Sequence, residues 1–147
     1  MARPIWYYSA SFTNGTEAGI SAFGNPLVWW FGIISTVFCA VTAVKNKDKK
    51  AIFLLIAYAA NFLPWAAVER TMFIYHYFPS VPFIVLMNGY TMMKFYQKNN
   101  KAKWGIIAYG ICTILLFVLF YPVLTGIPTN PDFVSTFLRW LPGWVLI

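Results

Sequence analysis

The sequence predicts an all-α, polytopic membrane protein with about four transmembrane helices. Three observations carry that reading. Hydrophobic residues make up 60% of the chain and charged residues only 10%, whereas a soluble domain carries about 25% charged residues. The few charges fall in short clusters separated by long uncharged stretches. Several of those stretches approach the roughly 20 apolar residues that cross the ~30 Å hydrocarbon core of a bilayer.

The elements follow in chain order. Residues 1–25 combine an aromatic cluster, Trp6-Tyr7-Tyr8, with a Ser/Thr/Asn/Gly stretch, and read as an extracytoplasmic or interfacial loop segment. They carry one Arg and no apolar h-region, so no cleavable signal peptide is read there, and the run from Pro26 is expected to act as an uncleaved anchor. Asn14-Gly15-Thr16 is a glycosylation sequon, relevant only in a lumenal setting. A membrane domain is expected over 26–124. Its first span, 26–44, opens on Pro26, which suits a first helical turn because its missing N–H has no intrahelical acceptor there. The second, 51–68, contains Pro64, where a lost backbone hydrogen bond predicts a kink. An aromatic connection with the only histidine follows, and its residues 71–79 fit either a loop or a broken helix. The third span covers 82–93 plus some preceding residues, and the fourth 104–124. The tail, 125–147, holds Pro128, Pro131 and Pro142 and reads as a second extracytoplasmic or interfacial segment, without room for a fifth span.

Charge sets the expected orientation. Eight of the eleven basic residues lie in two clusters, 45–50 and 94–103, one hairpin apart and therefore on one side. Arg3, Arg70 and Arg139 are the only basic residues elsewhere. The positive-inside rule then predicts cytoplasmic lysine loops, and both termini and the 69–79 connection outside. The net charge of +7 is accounted for by these topogenic lysines, which also suit anionic lipid headgroups. No zinc finger, phosphate loop or RNA-binding motif accompanies it, so no nucleic-acid partner is expected. Cys39 and Cys112 lie inside apolar runs and read as small buried or lipid-facing residues.

The residues alone give little catalytic chemistry. The carboxylates are Glu17, Asp48, Glu69 and Asp132, and none forms an acid/base pair by spacing. His76, between Tyr75 and Tyr77, has no ligand-spaced partner, so neither a metal nor a cofactor is expected. It reads as a hydrogen-bonded interfacial histidine or as a donor to an anionic ligand. Glu69 and Arg70 close the second span at headgroup depth, where charges either reach water or serve function.

Several blocks together carry a resemblance. Arg3-Pro4-Ile5-Trp6-Tyr7-Tyr8 and Gly24-Asn25-Pro26-Leu27-Val28-Trp29-Trp30 are similar to the start of the C-terminal membrane region of the protein O-mannosyltransferases. Tyr58-Ala59-Ala60-Asn61-Phe62-Leu63-Pro64-Trp65 resembles that family's next helix, and Phe73-Ile74-Tyr75-His76-Tyr77-Phe78-Pro79-Ser80-Val81-Pro82-Phe83 its following His-Tyr-x-Pro segment. Tyr121-Pro122-Val123-Leu124-Thr125-Gly126 and Trp140-Leu141-Pro142-Gly143-Trp144 resemble its end. The blocks cover nearly the whole chain in order, and the bacterial type is the most similar.

The resemblance implies a glycosyltransferase of the GT-C type that moves mannose from a polyprenyl (dolichyl) phosphate to Ser or Thr of exported proteins, on the outer or lumenal face. The membrane is then the plasma membrane in a bacterium or the endoplasmic reticulum in a eukaryote. It also implies a catalytic Asp-Glu pair in an N-terminal external loop. This chain has no Asp-Glu pair. It is therefore expected to be inactive alone and to partner the N-terminal catalytic part of the enzyme, the lipid donor and membrane lipids. A donor phosphate at headgroup depth calls for a cation and hydrogen-bond donors, and Arg70, His76 and Tyr77 are the candidates. The competing expectation is a small non-catalytic assembly or channel subunit. A channel would place polar residues at helical spacing down several spans, and these spans hold only scattered Thr, Ser and Asn.

Overall fold

A computed structural model describes residues 5–11, 15–22, 24–66 and 74–140. They divide into two compact units, one of residues 26–111 and one of residues 1–25 with 112–147.

The larger unit holds α1 (Pro26–Asn46), α2 (Lys49–Ala66), a 3₁₀ helix (Ile74–Ser80), α3 (Val81–Lys98) and the first half of α4 (Ala102–Thr125). These helices match the four expected spans to within a few residues. The clearest difference is α3, which runs on through Lys94 to Lys98, while the residues just before it form the 3₁₀ turn. α1 and α4 are long and apolar enough to cross a membrane. At 1.5 Å per residue, their 21 and 24 residues extend about 32 and 36 Å. α2 and α3 have 18 residues each, or about 27 Å.

Residue distribution is inside-out. Ile33, Val44, Phe53, Ile56 and Ile114 are exposed, while Ser35, Thr42, Asn88 and Thr91 are buried. Apolar side chains gain nothing by leaving lipid, so helices in a bilayer associate through close backbone approach and polar contacts. Small residues supply that approach here. Gly32, Ser35, Cys39 and Thr42 recur every three or four residues along the buried side of α1, and Ile84, Met87, Asn88 and Thr91 form the buried side of α3. A Cβ at Gly32 would stand 2.5 Å from Ile84 Cγ2. Asn88 Nδ2 donates across the seam to the Val28 carbonyl at 3.1 Å. Cys39, Ala51, Leu54, Ile84 and Met87 form the core. Cys39 is thus buried and Cys112 exposed, matching the two environments expected for them.

The α1–α2 connection is short because its residues end one helix and start the next. Lys47 adopts φ 49°, a left-handed conformation that stops a helix. Asp48 then caps α2, its Oδ1 accepting the Lys50 N–H at 2.9 Å.

The smaller unit contains a β-hairpin that the sequence reading took for a loop. β1 (Ile5–Ser11) and β2 (Glu17–Ala22) pair antiparallel from Ile5↔Ala22 to Ser11↔Glu17, with an irregularity between Trp6 and Tyr8. Ile, Trp and Tyr favour strands. The pairing is extended by a contact invisible to local pattern: Glu17 and Thr129 exchange backbone hydrogen bonds of 3.0 and 2.9 Å. α4 ends where Gly126 takes φ 73°, and the N–H groups of Gly126 and Ile127 both donate to the Pro122 carbonyl. Asn130 Oδ1 accepts the Asp132 N–H at 2.9 Å, opening the short helix Pro131–Phe133 and the π turn Val134–Leu138. Phe120, Val123, Val134 and Leu138 form this unit's core.

Candidate functional site

The expected site residues fall differently. Arg70 lies outside the described residues. His76 is within the 3₁₀ helix, with its side chain outside the described set. Tyr77 is fully described and is the centre of an aromatic cluster.

Three elements of the larger unit build that cluster. Tyr77, from the 3₁₀ helix, places its ring centroid 5.3 Å from Trp29, near the start of α1. It meets Phe62 of α2 edge-on at 5.7 Å. Phe62 stacks on Tyr58 at 5.7 Å, as residues four apart on a helix do. The Tyr77 and Tyr58 hydroxyls are 3.1 Å apart. Burial, reinforced by the bond to Tyr58, pushes the Tyr77 hydroxyl well above its ordinary range. Tyr77 therefore remains a neutral O–H.

This pairing has a chemical consequence. When one hydroxyl donates to the other, the acceptor keeps its own hydrogen. The pair thus retains one O–H donor, framed by aromatic rings, suited to a phosphate oxygen or a sugar hydroxyl. Trp29, Tyr58 and Phe62 were not selected from the sequence as site residues, although all three stand in the blocks that carry the family resemblance. The only internal signal was the Tyr58/Phe62 spacing.

A second constellation lies at the lysine-rich end. Asp48 Oδ2 accepts from Lys94 Nζ at 2.8 Å and from the Tyr90 hydroxyl at 2.9 Å. The Lys94 and Tyr90 hydrogen bonds hold the Asp48 carboxyl well below the usual carboxylate range. This ties the α1–α2 connection to the end of α3, so both lysine clusters share one end of the unit. Among the described residues, no group of three His, Cys, Asp or Glu side chains is placed to hold a metal ion.

A family model described as the C-terminal four TMM region of protein-O-mannosyltransferase matches residues 1–144. The chain is 26% identical over 155 residues to a polyprenol-phosphate-mannose–protein mannosyltransferase of Corynebacterium glutamicum, covering 97% of this chain and 30% of that protein. Against the protein of the same description from Mycobacterium tuberculosis H37Rv it is 27% identical over 129 residues, covering 82% of this chain and 24% of the relative. Against dolichyl-phosphate-mannose–protein mannosyltransferase 1 of Saccharomyces cerevisiae it is 24% identical over 164 residues, covering 96% and 20%. The chain thus spans less than a third of the length of each of these relatives. No solved structure matches it.

Proposed function

The chain belongs to the family of C-terminal four-transmembrane regions of the protein O-mannosyltransferases, and from that premise we propose that it serves as the membrane portion that holds the lipid donor of such an enzyme. The donor is a polyprenyl-phosphate mannose, the acceptor a Ser or Thr hydroxyl of an exported protein, and the transfer chemistry resides in an N-terminal part carrying the Asp-Glu pair. The observation that carries this reading is the family match across residues 1–144. The aromatic-framed Tyr58–Tyr77 pair supports it, because a sugar phosphate at the membrane boundary needs hydrogen-bond donors beside flat apolar surface. Arg70 supplies the cation for the phosphate, and His76 and Tyr77 supply donors. The matched relatives are transferases, which disfavours a non-catalytic channel or assembly subunit. The lysine loops face the cytoplasm, and both termini and the 69–79 connection face outside, as the lysine asymmetry requires.

The test belongs in an enzyme that contains this region together with its catalytic part. Arg70→Ala raises KM for the donor far more than for the acceptor, Arg70→Lys recovers part of the loss, and Tyr77→Phe gives a smaller donor defect. Unchanged donor affinity in folded Arg70 variants would refute the assignment. The chain alone transfers no mannose to an acceptor peptide; robust turnover would place the chemistry in the wrong part. Reporter fusions at Lys47, Tyr75 and the C-terminus check the orientation, and a cytoplasmic C-terminus overturns it.

A further inference from the structure

We propose that the lysine-rich end of the larger unit is a docking surface for the anionic phospholipid headgroups of one bilayer leaflet. This rests on the membrane location of the family and not on the donor reading.

Charge complementarity selects the occupant. The clusters 45–50 and 94–103 contain eight lysines and one carboxylate, Asp48. That carboxylate is already committed: it accepts from Lys94 at 2.8 Å and from Tyr90 at 2.9 Å, and the Lys94–Asp48 contact is the only ion pair among the described residues. The remaining seven lysines, including Lys45, Lys47, Lys98 and Lys101, are exposed. Internal pairing thus removes the one group that would neutralise this end, leaving a surface of a single sign. Because the same contact joins the two clusters, both lie at one end of the unit.

A further observation suits that end to headgroup depth. Trp104 is 67% exposed, and Lys103 Nζ lies 5.6 Å from its ring centroid. An exposed indole beside a lysine suits the boundary between hydrocarbon and headgroup.

The experiment uses the full chain reconstituted into vesicles of phosphatidylcholine mixed with phosphatidylglycerol. The readout is the phosphatidylglycerol fraction among lipids co-extracted with the protein. An ammonium near an anionic surface is worth about fivefold in local partitioning, so phosphatidylglycerol is enriched several-fold over its bulk proportion. The enrichment collapses in 1 M salt, where charges are screened beyond about 3 Å. It also collapses in the variant carrying Lys45→Gln, Lys47→Gln, Lys98→Gln and Lys101→Gln with helicity intact. Enrichment that persists in that variant overturns the proposal. So does enrichment in the native chain that is insensitive to salt, an arm that needs no variant to fold. Inorganic phosphate at millimolar concentration leaves the enrichment in place; full competition would mark a site for a soluble anion and also overturn it.

Discussion

Replacing Gly32 by Ala tests whether the α1–α3 seam is set by close backbone approach. Alanine in place of a helical glycine gains about 1 kcal/mol of intrinsic propensity, so an open site would be stabilised by that amount. At Gly32 the added Cβ stands 2.5 Å from Ile84 Cγ2, closer than two carbons tolerate. Ile84 is buried, with 4% of its surface exposed, so the methyl cannot swing aside freely. Overpacking a close-packed site costs about 1–3 kcal/mol. The net expectation is a destabilisation of up to about 2 kcal/mol. Ile84→Ala removes the opposing methyl. In that background Gly32→Ala is stabilising by about 1 kcal/mol, which gives a coupling of about 1–3 kcal/mol. The assay is reversible unfolding of the purified chain in mixed micelles titrated with sodium dodecyl sulfate, followed by helicity, on the four proteins of the double-mutant cycle. Equal effects of Gly32→Ala in both backgrounds would refute steric contact as the determinant of the seam.

Three other outcomes are expected. The Asp48 carboxyl is held below its ordinary value of 3.8 by the hydrogen bonds from Lys94 and Tyr90, so its contribution to stability is complete above that pH and is lost as the pH falls below it; Asp48→Asn flattens the acid limb of a stability–pH profile, and an unchanged limb shows the contact to be inconsequential. Gly126→Ala forces a Cβ onto φ 73° and to 2.8 Å from Ile20 Cγ1, and destabilises the smaller unit by about 1–2 kcal/mol, read as faster amide exchange in β2. Lys47→Gly relieves the left-handed strain at the end of α1 and raises the unfolding free energy by up to about 1 kcal/mol, while any gain from Lys47→Val, a β-branched residue with φ > 0, contradicts the backbone assignment.

The four helices were legible from sequence because the solvent they imply is so demanding. A bilayer core satisfies no backbone hydrogen bond, so each long apolar run must satisfy its own, and the lysine clusters mark where runs end. The first helix begins at Pro26, and the fourth closes at Thr125, before Gly126, both positions where one residue's backbone geometry is decisive. Local chemistry of that kind requires no knowledge of the rest of the chain. The hairpin escaped because a short aromatic segment is equally compatible with a strand or an interfacial loop, and the bridge that extends it joins Glu17 to Thr129, residues far apart in the chain. The site was half legible. Tyr77 stood out beside the only histidine, but its partners Tyr58, Phe62 and Trp29 come from two other helices, and helix rotation, not spacing, decides which rings meet. Asp48 looked like one more charge in a lysine loop; only the packing of α3 against α1 and α2 makes it the acceptor for Lys94 and Tyr90. Composition and charge pattern determine that this chain lies in a membrane and where its helices turn. Which side chains face one another is decided by the tertiary structure, because apolar residues in lipid are nearly indifferent to their neighbours and the choice falls to a few small and polar residues, Gly32, Ser35 and Asn88 among them.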